Sequence, residues 1–190
     1  YLRMIGVTTP TFVQPTGIEY ERFQAVKPAD VETLRKKLAL SNEKVFISVA
    51  RLSNEKNIDF MIEAIDRLRQ ESDVQFRFLM IGDGHQRDRL QKKIDSLELG
   101  SHFTLVGAVQ PEEMALWYNL GDAFLFASKS ETQGMVILEA MSAGLPVVAV
   151  RSSGIEDVVR DGLNGYKTPE NQARWIEKAQ QLLGHDDLCT

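Results

Sequence analysis

Five short runs rich in β-branched and aromatic residues recur along the chain, at 45–50, 76–81, 103–106, 123–127 and 147–150. Each reads as a buried strand, because apolar side chains occupy consecutive positions instead of every second one. Between them apolar residues return at helical spacing. Ile58, Met61, Ile62, Ile65 and Leu68 form one such stripe, and Leu90, Ile94 and Leu97 a second. Pro111 opens a third helix carrying Met114, Ala115, Trp117 and Tyr118, and proline suits a first helical turn. Val136, Leu138, Ala140, Met141 and Ala143 lie on a fourth, which stops at Gly144-Leu145-Pro146. A short helix is expected over 155–160 and a last one over 171–183. Residues 1–27, punctuated by Thr, Pro and Gly, read as an opening strand and loop. Strands alternating with helices predict an α/β, Rossmann-like parallel sheet with helices on both faces. The 190 residues suit one domain, taken as 1–190.

Composition narrows the class. The chain is 43% hydrophobic and 26% charged, ordinary for a globular protein. Its formal net charge of −5 argues against general binding to nucleic acid. Cys189 is the single cysteine, which allows no internal disulfide and fits a reducing, cytoplasmic setting. No apolar run approaches the ~18–20 residues of a membrane span. The chain opens on Tyr1 and reads as a piece of a longer protein.

The chemistry gathers at strand ends. Arg51 and Lys56 follow the first strand, where a guanidinium fork and an ammonium point charge could hold phosphate oxygens. The alternative is a solvated loop in which Arg51 pairs with Glu55. Gly82-Asp83-Gly84 follows the second strand; a dinucleotide fingerprint would need a third glycine where Arg87 stands. Glu131 follows the fourth strand and Glu139 lies about two turns into the next helix. Gly134 opens that helix, whose free N–H groups carry roughly half a positive charge toward any anion. The two glutamates could be an acid/base pair, acceptors for sugar hydroxyls, or a loop residue and a paired helix residue. His85, His102 and His185 lack metal-ligand spacing, and no Asp-x-Asp occurs. Trp117, Tyr118 and Trp175 read as core.

In order, these segments resemble the C-terminal, donor-binding domain of glycosyltransferase family 4 enzymes, group 1 glycosyltransferases of the GT-B fold. The landmarks run from Pro15-Thr16-Gly17-Ile18-Glu19 through Ala50-Arg51-Leu52, Glu55-Lys56, Ile81-Gly82-Asp83-Gly84 and Val106-Gly107. They continue through Glu131 to Glu139, Ala143-Gly144-Leu145-Pro146-Val147-Val148 and Asp161-Gly162-Leu163-Asn164-Gly165. The resemblance implies that Arg51 and Lys56 bind the diphosphate of a nucleotide sugar and that Glu131 contacts the sugar. Gly134, Met135 and Val136 would hold sugar and phosphate, and Glu139 the ribose hydroxyls. Gly17, Gly82 and Gly84 would sit beside the donor, and the loop at Gly107, Ala108 and Val109 beside the base. It also implies a retaining transferase that needs no metal, with no cofactor beyond its nucleotide sugar substrate, UDP-sugar favoured over GDP-sugar. The acceptor would bind mainly on an N-terminal domain absent from this chain. Peripheral membrane contact, if any, would come through the parent protein. Gln133, where many members carry an aromatic residue, looks more like diacylglycerol glucosyltransferases. The rival readings are a nucleotide-binding module with no activity of its own and a dinucleotide oxidoreductase, which the incomplete glycine fingerprint disfavours.

Overall fold

Six parallel strands, β1 (Lys44–Val49), β2 (Phe76–Ile81), β3 (Phe103–Gly107), β4 (Ala123–Phe126), β5 (Val147–Val150) and β6 (Gly165–Thr168), form one sheet in the order β3-β2-β1-β4-β5-β6. The computed structural model describes residues 3–12 and 17–184. Pro15, Thr16, His185 and Cys189 lie outside them. The strands alternate their side chains between two layers. Phe46, Phe78, Met80, Leu125 and Val148 face helices α3 (Ile58–Glu71), α4 (Arg87–Ser96) and α7 (Gln172–Gly184). Val45, Ile47, Leu79, Phe124, Phe126 and Val147 face α1 (Tyr20–Gln24), α2 (Pro28–Lys37), α5 (Met114–Asn119) and α6 (Met135–Ser142). Cover on both faces explains why every residue of β4 and β5 is buried and why their sequences run apolar without alternation.

The expected α/β architecture is present, with five differences. β6 was not anticipated; Gly-Tyr-Lys-Thr is a short edge strand whose two middle residues stay half-exposed, so it carries no apolar run. Consecutive turns occupy residues 153–158, and no helix forms over 155–160. Ile155 and Val159 are both buried, and that pair mimics helical spacing. No strand lies among the described residues of 1–27, which end instead in α1. The helix α2 also went unread, because Leu34 is its one buried side chain. The predicted third helix is divided, a 3-10 turn at Pro111–Glu113 preceding α5.

Pairing of β1 with β2 continues beyond the strands. Ala50 N–H donates to Ile81 O at 3.0 Å, Leu52 N–H to Asp83 O at 3.0 Å and Gln86 N–H to Leu52 O at 3.3 Å. The two loops lie so close that a Cβ on Gly82 would fall 2.0 Å from Ala50 O, and one on Gly84 2.5 Å from Leu52 O. These glycines therefore have a packing reason to be glycine whatever else they touch. Gly84→Ala is expected to cost at least ~2 kcal/mol in urea unfolding, because a backbone clash cannot be relieved by a rotamer change. A loss under ~0.5 kcal/mol would show that the loop yields and that packing does not dictate this glycine.

Candidate functional site

The strand order reverses between β1 and β4, and in such sheets the crevice outside the carboxyl ends at that point is where ligands bind. Two loops frame it. The first leaves β1 at Val49, anchors itself through buried Leu52, and makes a 3-10 turn at Asn54–Lys56 before α3. Asn57 takes a left-handed conformation (φ 56°) to turn the chain into the helix, a geometry asparagine tolerates better than most residues. The second loop leaves β4 at Phe126 and ends at Gly134, the cap of α6, with φ 63°. The loops are bonded to each other: Glu55 O accepts Lys129 N–H at 2.9 Å and the hydroxyl of buried Ser128 at 3.3 Å. A third loop, after β5, backs the second. A Cβ on Gly154 would fall 2.4 Å from Glu131 O, so only glycine lets this loop lie against Glu131.

This frame brings Lys56 and Glu131 together from 75 positions apart. Lys56 Nζ donates to Glu131 Oε2 at 3.2 Å, with side chains 19% and 14% exposed. Glu131 Oε1 accepts the N–H groups of Thr132 at 3.1 Å and Gly134 at 3.3 Å. Burial pushes the Glu131 carboxyl upward, but the hydrogen bond and charge of Lys56, with the Thr132 and Gly134 N–H groups, outweigh it. The net effect holds its pKa below the ordinary glutamate value. Helix α6 begins beside this carboxylate. Ile137 and Leu138 N–H both return to Gly134 O, so Met135 and Val136 N–H precede the first intrahelical donor. Positive charge and backbone donors thus converge where Glu131 already holds a place for an anionic oxygen.

Glu139 faces another partner. It lies just over one turn into α6, nearer the start than the two turns expected. Its Oε2 accepts the Tyr118 hydroxyl at 2.8 Å. Tyr118 is fully buried. Burial first, then the charge and hydrogen bond of Glu139, hold its phenol well above the ordinary tyrosine value, so it remains a donor. No described bond joins Glu139 to Glu131.

A profile of glycosyl transferases group 1 matches residues 30–189. The chain belongs to this family. It is 35% identical over 157 residues to the alpha-monoglucosyldiacylglycerol synthase of Streptococcus pneumoniae, covering 80% of this chain and 35% of the relative. It is 35% identical over 174 residues to the enzyme of that name from Acholeplasma laidlawii, covering 90% and 42%. The chain therefore spans about a third to two-fifths of these curated relatives. Among solved structures it resembles Anabaena HepE in complex with UDP-glucose, with TM-score 0.78, 26% identity, and 88% of this chain and 46% of that one covered.

In this group 1 glycosyltransferase chain the expected site residues divide by place. Lys56, Glu131, Gly134, Met135 and Val136 converge on the crevice. Arg51 lies at its edge, 72% exposed, and pairs with Glu55 at 3.3 Å. That surface pair is the solvated-loop arrangement weighed from sequence. Gly82 and Gly84 follow neighbouring β2, packed against the β1 loop. Val109, half-buried, rests on the core beyond β3. Nothing lies within 4 Å of a Cβ placed on Gly17, and no described contact ties it to the crevice. Among the described residues no three of His, Cys, Asp or Glu gather in metal-binding geometry. Trp175 is fully buried, as expected, and donates its ring N–H to Phe126 O at 3.4 Å. Tyr118 is core as expected, but its hydroxyl has a role the apolar pattern hid. Only the general rule that a buried tyrosine needs a partner pointed to it. Ser128 and Gly154 were missed as well; Ser128 donates its hydroxyl to a backbone carbonyl and Gly154 acts by having no side chain, so neither leaves a motif.

Because the folded pKa of Glu131 is depressed, its pairing stabilises the protein above the unfolded glutamate pKa. That stabilisation is lost as pH falls through the lower folded value. Carboxyl NMR titration should place the Glu131 midpoint below that of an unperturbed glutamate. Lys56→Met should raise it relative to wild type, since burial is then opposed only by the Thr132 and Gly134 N–H groups. An unmoved midpoint in Lys56→Met would contradict the pairing.

Proposed function

We propose that this chain is the donor-binding domain of a retaining glycosyltransferase, which moves a sugar from a nucleotide diphosphate sugar to an acceptor hydroxyl. The convergence of Lys56, Glu131 and the α6 N-terminus at the switch point carries this reading. The diacylglycerol-linked names of the relatives and the UDP-glucose bound to the HepE neighbour favour a UDP-sugar over a GDP-sugar, and a glycolipid or polysaccharide precursor as acceptor. The acceptor would bind mainly on an N-terminal domain beyond this chain. No helix among the described residues is long and apolar enough to cross a membrane. The parent is read as cytoplasmic, with any membrane contact made peripherally at the cytoplasmic face.

The roles follow the chemistry of bond breaking. As the bond from the sugar to the diphosphate breaks, negative charge grows on the leaving diphosphate. Lys56 and the Met135 and Val136 N–H groups oppose that charge from fixed positions, and Arg51 joins them, which lowers the barrier. This supply of positive charge makes a metal unnecessary for diphosphate binding. Glu131 orients the sugar through its hydroxyls, Glu139 accepts from the ribose, and the Val109 loop borders the base. Gly82 and Gly84 permit close approach of backbone to the donor, and Gly17 lies near its diphosphate. Arg51 must leave Glu55 to take part. An exposed ion pair is worth about 0–1 kcal/mol, whereas a charge-assisted hydrogen bond is worth ~1.5–3 kcal/mol, so phosphate wins the exchange.

The alternative is a nucleotide-binding module without activity of its own. It suits the isolated chain, because a transferase cleft needs the acceptor-binding side. In the full-length protein, Arg51→Ala should lower kcat/KM by ~10-fold or more, from loss of one charge-assisted contact. Near-wild-type kinetics would remove Arg51 from the site, and a full-length protein that turns over no nucleotide sugar would favour the module.

A further inference from the structure

The two glutamates of the site are held by opposite kinds of partner. Glu131 is matched by a cation, Lys56. Glu139 is matched by a neutral phenol, and among the described residues no cation pairs with it. Its negative charge is therefore left to attract donors from a ligand. What the phenol provides is direction. The last torsion of a glutamate is broad and roughly two-fold, so a carboxylate without a fixed donor turns through a wide arc. The Tyr118 hydroxyl removes that freedom by occupying Oε2.

The hydroxyl is itself held firmly. The Tyr118 ring is fully buried and packs edge-on against Phe23 of α1, with centroids 5.8 Å apart. It packs at 5.8 Å against Phe124 of β4 on another side. Helix, strand and the segment before α2 thus converge on one oxygen atom, which points at the half-buried carboxylate on α6. A tyrosine in this place could have been phenylalanine as far as packing is concerned. The hydroxyl has one described partner, Glu139.

We propose that Tyr118 is a positioning residue that orients the Glu139 carboxylate toward a nucleotide, and so sets how strongly the site selects a ribose bearing both hydroxyls. This rests on the reading of Glu139 as the ribose acceptor. With Tyr118 on Oε2, Oε1 and the outer face of the carboxylate remain for two neighbouring hydroxyl donors. Without it the carboxylate keeps its charge but loses its aim, so affinity for the sugar hydroxyls falls while affinity for phosphate does not.

Calorimetric titration of this chain with UDP, 2′,3′-dideoxy-UDP and inorganic pyrophosphate tests the proposal in wild type, Tyr118→Phe, Glu139→Ala and the double variant. Wild type should prefer UDP over the dideoxy compound by ~10-fold or more, as expected for a hydrogen bond to a charged group. Tyr118→Phe should shrink that preference to ~3-fold or less, with pyrophosphate affinity unchanged. The double variant should match Glu139→Ala, because the two residues act as one unit. Retention of the full preference in Tyr118→Phe, while Glu139→Ala abolishes it, overturns the proposal and leaves the ribose reading intact. Loss of pyrophosphate affinity in Tyr118→Phe also overturns it, since the damage would then be general. A wild-type chain without preference for UDP, or a Glu139→Ala chain that keeps it, overturns the ribose reading and the proposal with it.

Discussion

An open parallel sheet with helices on both faces reverses its strand order, and the reversal between β1 and β4 is the constraint from which the site follows. The loops after these two strands leave toward opposite layers, so nothing fills the space between their ends. Into that space the chain sends Lys56 from one side and Glu131 from the other. Lys129 N–H and the Ser128 hydroxyl bond Glu55 O across the gap, so the crevice has a fixed width and not merely a fixed location.

The electrostatics follow from this frame. Lys56 and the first N–H groups of α6 would together be a costly concentration of positive charge if left alone in a half-buried place. Glu131 neutralises them through its bonds to Lys56 and to the Thr132 and Gly134 N–H groups. Glu139, a turn along the same helix, is bonded to the neutral Tyr118 hydroxyl. The two glutamates are therefore not equivalent. One balances the site's positive charge, and the other is bonded to a neutral phenol. Glu131 and Glu139 face Lys56 and Tyr118 respectively, and no described bond joins the two carboxylates.

Much of this was legible before the structure because period and punctuation agree along the chain. The short, largely apolar runs of β1, β2, β4 and β5, alternating with helical stripes, read as strands covered on both sides, and glycine or charge at their ends marks the ligand edge. The pairing of Lys56 with Glu131 lies 75 residues apart, yet the strand-end rule places both residues on one edge. What stayed hidden has physical reasons. β6 is an edge strand of Gly-Tyr-Lys-Thr, with too little burial to need an apolar run. Residues 155–160 bury Ile155 and Val159 outside any helix, which copies the spacing of one. Tyr118 was legible as core, but its hydroxyl partner arrives from a different helix. Gly154 serves Glu131 by having no side chain.

The central claim is that the crevice between β1 and β4 is where a nucleotide diphosphate binds. Backbone amide NMR shifts of this chain during titration with UDP test it most directly. Shifts concentrated in residues 51–57 and 131–139, saturating together, are the predicted result. Saturating shifts confined to the opposite, amino-terminal edge of the sheet, or none in these two segments, would contradict it.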